Sequence, residues 1–167
     1  MRNVINKRLL LLSMLILLLS GCGFHLRNAQ PLPEHLNPLY IQGLEQYDQL
    51  NRTLRDTFLS ADVRLIRNKS EAASILTVRD HGQSRQVTTV DSRGKATEYT
   101  LTRKLTVKLT NRDGKVLMDE RTVGVQRDWI DVGKDGLAGR VEESQLQQNM
   151  RRDLSLSILR VLGYALQ

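Results

Sequence analysis

Cysteine is almost absent from this sequence: Cys22 stands alone in 167 residues. A lone cysteine cannot close an internal disulfide, so the fold must hold by packing. Aromatic residues are scarce too, with one Trp, two Phe and four Tyr. That excludes the base-stacking platforms of single-strand nucleic-acid binders. The three histidines, His25, His35 and His81, have no Ser-x-Gly elbow near them. No pair of carboxylates is singled out by spacing for glycoside hydrolysis. No apolar run reaches the roughly 20 residues that a membrane-spanning helix needs. Internal repeats and low-complexity segments are missing as well. These gaps argue against an enzyme, a cofactor protein or a nucleic-acid binder.

What is present begins at the N-terminus. Arg2, Lys7 and Arg8 precede an apolar run from Leu9 to Leu19 broken only by Ser13. A charged n-region, a short h-region and small residues before a cut are the plan of a signal peptide. Leu19-Ser20-Gly21-Cys22 resembles the lipobox of bacterial lipoproteins, in which the cysteine is acylated and becomes the new N-terminus. The expected organisation is a removed signal peptide (1–21), a lipidated tether (22–38) and one domain (39–167). An acylated Cys22 is unavailable as nucleophile or metal ligand, and several acyl chains anchor a protein stably. Gly23, in place of Asp, points to the outer membrane, periplasmic side. From Cys22 onward the chain has 22 basic and 18 acidic residues, a balance of +4. Such modest basicity suits an anionic surface or acidic ligand.

Pro31, Pro33 and Pro38 mark the tether as extended. Leu39–Gln42 reads as a first strand ended by Gly43. Leu50, Leu54, Phe58 and Ala61 recur at helical spacing and predict a helix over about 47–61. Three long strands follow: 74–90, interrupted near His81-Gly82, then 97–110 and 116–127. In the middle one Tyr99, Leu101, Leu105, Val107 and Leu109 point one way, with Arg103 the exception. Thr and Lys fill the alternate positions, which predicts one buried and one wet face. A loop over 128–140 leads to a last helix, 141–162, whose Leu146, Met150, Leu154, Ile158 and Leu162 form the clearest apolar stripe. Gly163 reads as its stop. The order β-α-β-β-β-α predicts an α+β fold, two helices packed on one face of a four-stranded, mostly antiparallel sheet.

Asp131-x-Gly133-x-Asp135-Gly136-x5-Glu142 nearly fits a calcium loop. Gly133 replaces an oxygen donor, and Lys134 and Arg140 oppose a cation there, so no metal is expected. Topology gathers a more telling group. The turn 91–94 and the loop before the last helix return to the same end, which brings together Arg93, Lys95, Lys134 and Arg140. Arg forks and Lys point charges suit phosphate. The plainer reading is solvated hairpin tips, since Arg112 and Lys115 decorate the opposite turn.

Three stretches of the chain resemble one family. Gly21-Cys22-Gly23-Phe24-His25-Leu26-Arg27 resembles the G-C-G-[FW]-H-L-R opening of the LptE family of lipopolysaccharide-assembly lipoproteins. Arg93-Gly94 followed by Thr97-Glu98-Tyr99 resembles that family's turn and strand entry. Leu137-Ala138, Glu142-Glu143 and the helix with Met150 resemble its final segment. The resemblance implies a non-enzymatic, lipid-anchored outer-membrane protein that plugs and helps assemble a large β-barrel, LptD. It also implies binding of lipopolysaccharide through basic residues at one end, a role that maps onto Arg93 by its turn and onto Arg140 by a small shift. The rival expectation is a generic envelope-binding lipoprotein.

Overall fold

The computed structural model describes residues 32–130 and 137–166. Six elements form it: β1 (Leu39–Gln42), α1 (Gln49–Leu59), β2 (Ser74–Val90), β3 (Ala96–Asn111), β4 (Val116–Ile130) and α2 (Leu137–Ala165). The strands lie in the order β1-β2-β3-β4. β1 runs parallel to β2, and the other pairs are antiparallel. A parallel neighbour needs a crossover, and α1 occupies it. Both helices pack on one face, as the apolar stripes require.

Local chemistry sets the ends of these elements. Asp48 caps α1 by accepting from the Leu50 N–H at 3.0 Å, which satisfies one orphan donor of the first turn. Leu50, Leu54 and Phe58 are fully buried beneath that helix. Burial of each is worth about 1.5–3 kcal/mol. α2 contributes Leu154, Ile158, Leu159 and Leu162, and β3 contributes Leu105, Val107 and Leu109. Gly43 closes β1 with φ +96°, and a Cβ there would lie 2.1 Å from the Val78 carbonyl oxygen. Only glycine lets β1 peel off the sheet at that point.

The elements depart from the sequence reading in five places, one of them the start of α2, which begins at Leu137 inside the stretch read as loop. Leu32 and Leu36 are buried in the core, so the stretch read as extended tether already packs there. Pro33 is followed by a single 3-10 turn, Glu34–Leu36, because proline before the first helical residue loses no hydrogen bond. β4 runs on to Ile130, since Trp129 pairs with Tyr99 and is buried. α2 runs past Gly163, which is itself buried, to Ala165. There Leu162 and Leu166 still meet the core, and packing overrides the glycine's weak helix preference.

A β-bulge divides the sheet. Asp80 opposes Leu105 and Gln83 opposes Arg103, so His81 and Gly82 together face Lys104. Gly82 takes φ +78°. The extra residue reverses the alternation of β2. Below the bulge Leu76, Val78 and Asp80 face the helices; above it Gln83, Arg85 and Val87 do. β2 has 17 residues, whereas α1 has 11. At about 3.3 Å per strand residue and 1.5 Å per helix residue, the hairpin far outreaches α1. Residues 81–90 are accordingly all exposed.

Candidate functional site

The upper end of the sheet is where the predicted basic residues fall. The β2–β3 turn is built on Asp91. Its Oδ1 accepts from the Arg93 N–H at 2.8 Å and the Lys95 N–H at 2.9 Å. Those backbone bonds, helped by the nearby cations, hold its carboxyl below the usual range. The turn is thus fixed, and it displays Arg93, whose side chain is 86% exposed with only a loose 3.5 Å contact to Asp91. Lys95 is exposed on the same turn. Ile130 pairs with Glu98, so β4 ends at this level. α2 starts seven residues later, with Arg140 exposed in its first turn. Topology therefore brings Arg93, Lys95 and Arg140 to one end. Lys134 and Cys22 lie outside the described residues, as do residues 131–136 of the calcium-like loop. Among the described residues, no group of His, Cys, Asp or Glu could hold a metal. No described helix is long and apolar enough to cross a membrane.

The structure adds a cluster that sequence reasoning missed. Tyr99 and Trp129 stack with ring centroids 5.5 Å apart and 26° between planes. The Arg85 guanidinium lies 3.6 Å from the Tyr99 centroid and 4.8 Å from that of Trp129. The alternation of β3 announced Tyr99, but Arg85 reaches this face only because of the bulge. Nothing in the local pattern marks Arg85 and Trp129 as neighbours.

Beneath that cluster runs a polar layer. Arg103, the exception on the apolar face, is paired with Asp80 through a short hydrogen-bonded salt bridge. Burial by itself would raise the Asp80 pKa. The bond from Arg103, the Gly82 N–H and the charges of Arg103 and His81 outweigh it and hold the carboxyl low. Arg127 on β4 pairs with Asp153 on α2. Arg151 is half-buried, and its Nε has no hydrogen-bond partner among the described residues. Burial and the Arg103 charge lower its pKa, with Asp48 opposing.

The other sheet face is wet. Thr100 donates to Asp128 at 2.7 Å, His81 Nε2 meets Thr106 Oγ1 at 2.8 Å, and Thr106 meets Thr122 at 3.2 Å. Near the tip a shallow hollow of about 260 Å³ is lined by Thr88, Glu98, Asp128, Trp129 and Ile130. Both its carboxylates accept hydroxyl hydrogen bonds, Glu98 from Thr89 at 2.7 Å and Asp128 from Thr100. Neither is placed as an acid–base partner of the other.

These features define a class: a two-layer α+β body with an extended hairpin and a charged tip. A profile of the LptE family, described as Lipopolysaccharide-assembly, matches residues 36–162. The chain belongs to the LptE family. It is 29% identical over 153 residues to the LPS-assembly lipoprotein LptE of Photorhabdus laumondii, covering 92% of this chain and 83% of that protein. The Pectobacterium atrosepticum protein of the same name is 28% identical over 156 residues, with the same coverage. The fold is similar to that of the rare lipoprotein B of Shewanella oneidensis, with TM-score 0.65, 20% identity and coverage of 75% and 93%. Lipoprotein B of Nitrosomonas europaea gives TM-score 0.64 at 18% identity, covering 75% and 82%.

Proposed function

We propose that this protein is a non-catalytic outer-membrane lipoprotein that plugs and helps assemble an LptD-like β-barrel and binds lipopolysaccharide on its way to the outer leaflet. Membership of the LptE family carries the reading. Acyl chains on Cys22 hold it on the periplasmic side of the outer membrane. The wet face of the sheet, rich in Thr and Lys, meets the polar lumen of the barrel. Its long hairpin reaches up the lumen, and Arg93, Lys95, Lys134 and Arg140 meet phosphates and acidic sugars of the glycolipid at the tip.

Purification of the full-length lipoprotein from outer membrane in mild detergent tests the partner. A stoichiometric large barrel is expected. Recovery alone, under conditions that keep other barrel complexes intact, would instead favour a free-standing envelope binder. For the ligand, Arg93→Glu is expected to weaken lipopolysaccharide binding about tenfold, the scale of one charge-assisted contact. Unchanged binding would remove the turn from the ligand site.

A further inference from the structure

The upper half of β2 leaves a ledge on the helix-facing side of the sheet that none of the described residues covers. α1 ends far below it. Arg85, Val87 and Val90 are exposed there, the valines at 48% and 55%. The Arg85 guanidinium lies over Tyr99 and Trp129, yet it makes no hydrogen bond or ion pair with any described residue. The strand carboxylates at this end, Glu98 and Asp128, occupy the opposite face and take hydroxyl hydrogen bonds there. Arg127, in the same cross-strand row as Arg85 and Leu101, is engaged by Asp153.

We propose that this ledge is a second contact site for a phosphorylated, acylated glycolipid. Arg85 grips a phosphomonoester of the headgroup, and an acyl chain lies along Val87 and Val90. The assignment rests on the lipopolysaccharide reading above and adds a site distinct from the Arg93 turn. Stacking on a ring face spends the guanidinium's π-surface and leaves its N–H edge for an outside acceptor. It also fixes the side chain before the ligand arrives, so little rotamer freedom remains to be lost. Arg93, almost wholly exposed, has no such support. Apolar surface next to an oriented cation matches an amphiphile better than a free anion.

Trp129 is the sole tryptophan, so its emission reports on the ledge. The experiment titrates the detergent-solubilised full-length lipoprotein with lipopolysaccharide, with its dephosphorylated form and with inorganic phosphate. Lipopolysaccharide is expected to shift Trp129 emission. Arg85→Gln should erase that shift and weaken binding about tenfold. Arg93→Glu should keep the shift at saturation. Val87→Asp keeps Arg85, Tyr99 and Trp129 in the chain while placing a carboxylate opposite Tyr99, and it should also weaken lipopolysaccharide, which keeps the test open if Arg85→Gln folds poorly. Wild-type binding left unchanged by both Arg85→Gln and Val87→Asp overturns the ledge while the lipopolysaccharide reading stands. Absence of wild-type binding sinks both. Inorganic phosphate producing the same shift at comparable concentration overturns the amphiphile assignment in favour of a simple anion.

Discussion

The lower and upper halves of this sheet are built on different chemistry. Below the bulge, Leu50, Leu54, Phe58, Leu105, Leu154 and Ile158 are entirely sealed between sheet and helices. Above it, no described helix covers β2, where Arg85 lies over Tyr99 and Trp129, and burial is confined to the β3–β4 side, at Leu101, Trp129 and Met150. The boundary is the Asp80–Arg103 pair with Arg151 beside it. The same three strands run through both halves, so hydrogen-bonded sheet alone does not make a core. What differs is whether a second layer removes the apolar face from water. Stability resides where that layer is complete, and surface for partners is left where it stops.

The sharpest way to break this contrast is to hollow the lower half. Phe58→Ala is expected to cost about 3–5 kcal/mol, as a large cavity in a sealed core does. Gly43→Ala should cost about 2–3 kcal/mol, because the methyl meets the Val78 carbonyl and the backbone is left-handed. Urea unfolding of the detergent-solubilised lipoprotein measures both. Losses under 1 kcal/mol would mean that the lower half is not where the fold is held.

The boundary comes next in size. Arg103→Met strands the Asp80 carboxylate on an otherwise apolar face and should cost about 2–3 kcal/mol, somewhat less than for a fully buried pair. Because Asp80 is held low in the folded state, its contribution is complete above the unfolded carboxylate value. It is lost as pH falls below about 4, through the folded value. The wild type should therefore weaken steeply in acid, and Arg103→Met should flatten that segment of the profile. Parallel acid profiles for the two proteins would detach the pair from stability.

The same contrast marks what was legible in the sequence. The lower half was readable because each stripe is periodic: Leu50, Leu54 and Phe58 on α1, Leu154, Ile158 and Leu162 on α2, alternation along β3. Periodicity reports burial against a complete layer, and there it reported correctly. The Asp91 turn was readable from its Asp-Ser-Arg-Gly chemistry. The partner of Arg103 was not, since Asp80 lies 23 residues away and meets it only through the β2–β3 register. Arg85 was hidden by the bulge, which turns an outward position inward without any mark in the local pattern beyond His81-Gly82. The helix stop at Gly163 failed because propensity was weighed without the core contacts of Leu162 and Leu166.

The smallest expected effect sharpens the comparison most, because it separates charge from fold at the tip. The β2–β3 turn is held by backbone N–H groups of Arg93 and Lys95 donating to Asp91. The Arg93 side chain takes almost no part. Arg93→Gln should therefore shift stability by no more than about 0.5 kcal/mol, whereas Asp91→Ala, which removes the acceptor of both bonds, should lower the melting temperature more. Thermal unfolding of the two variants side by side gives the order directly. The predicted order assigns the turn's shape to Asp91 and leaves the Arg93 charge free for a partner. The reverse order would make Arg93 part of the architecture, and loss of ligand binding in its variants would then report damage to the hairpin and not a lost contact.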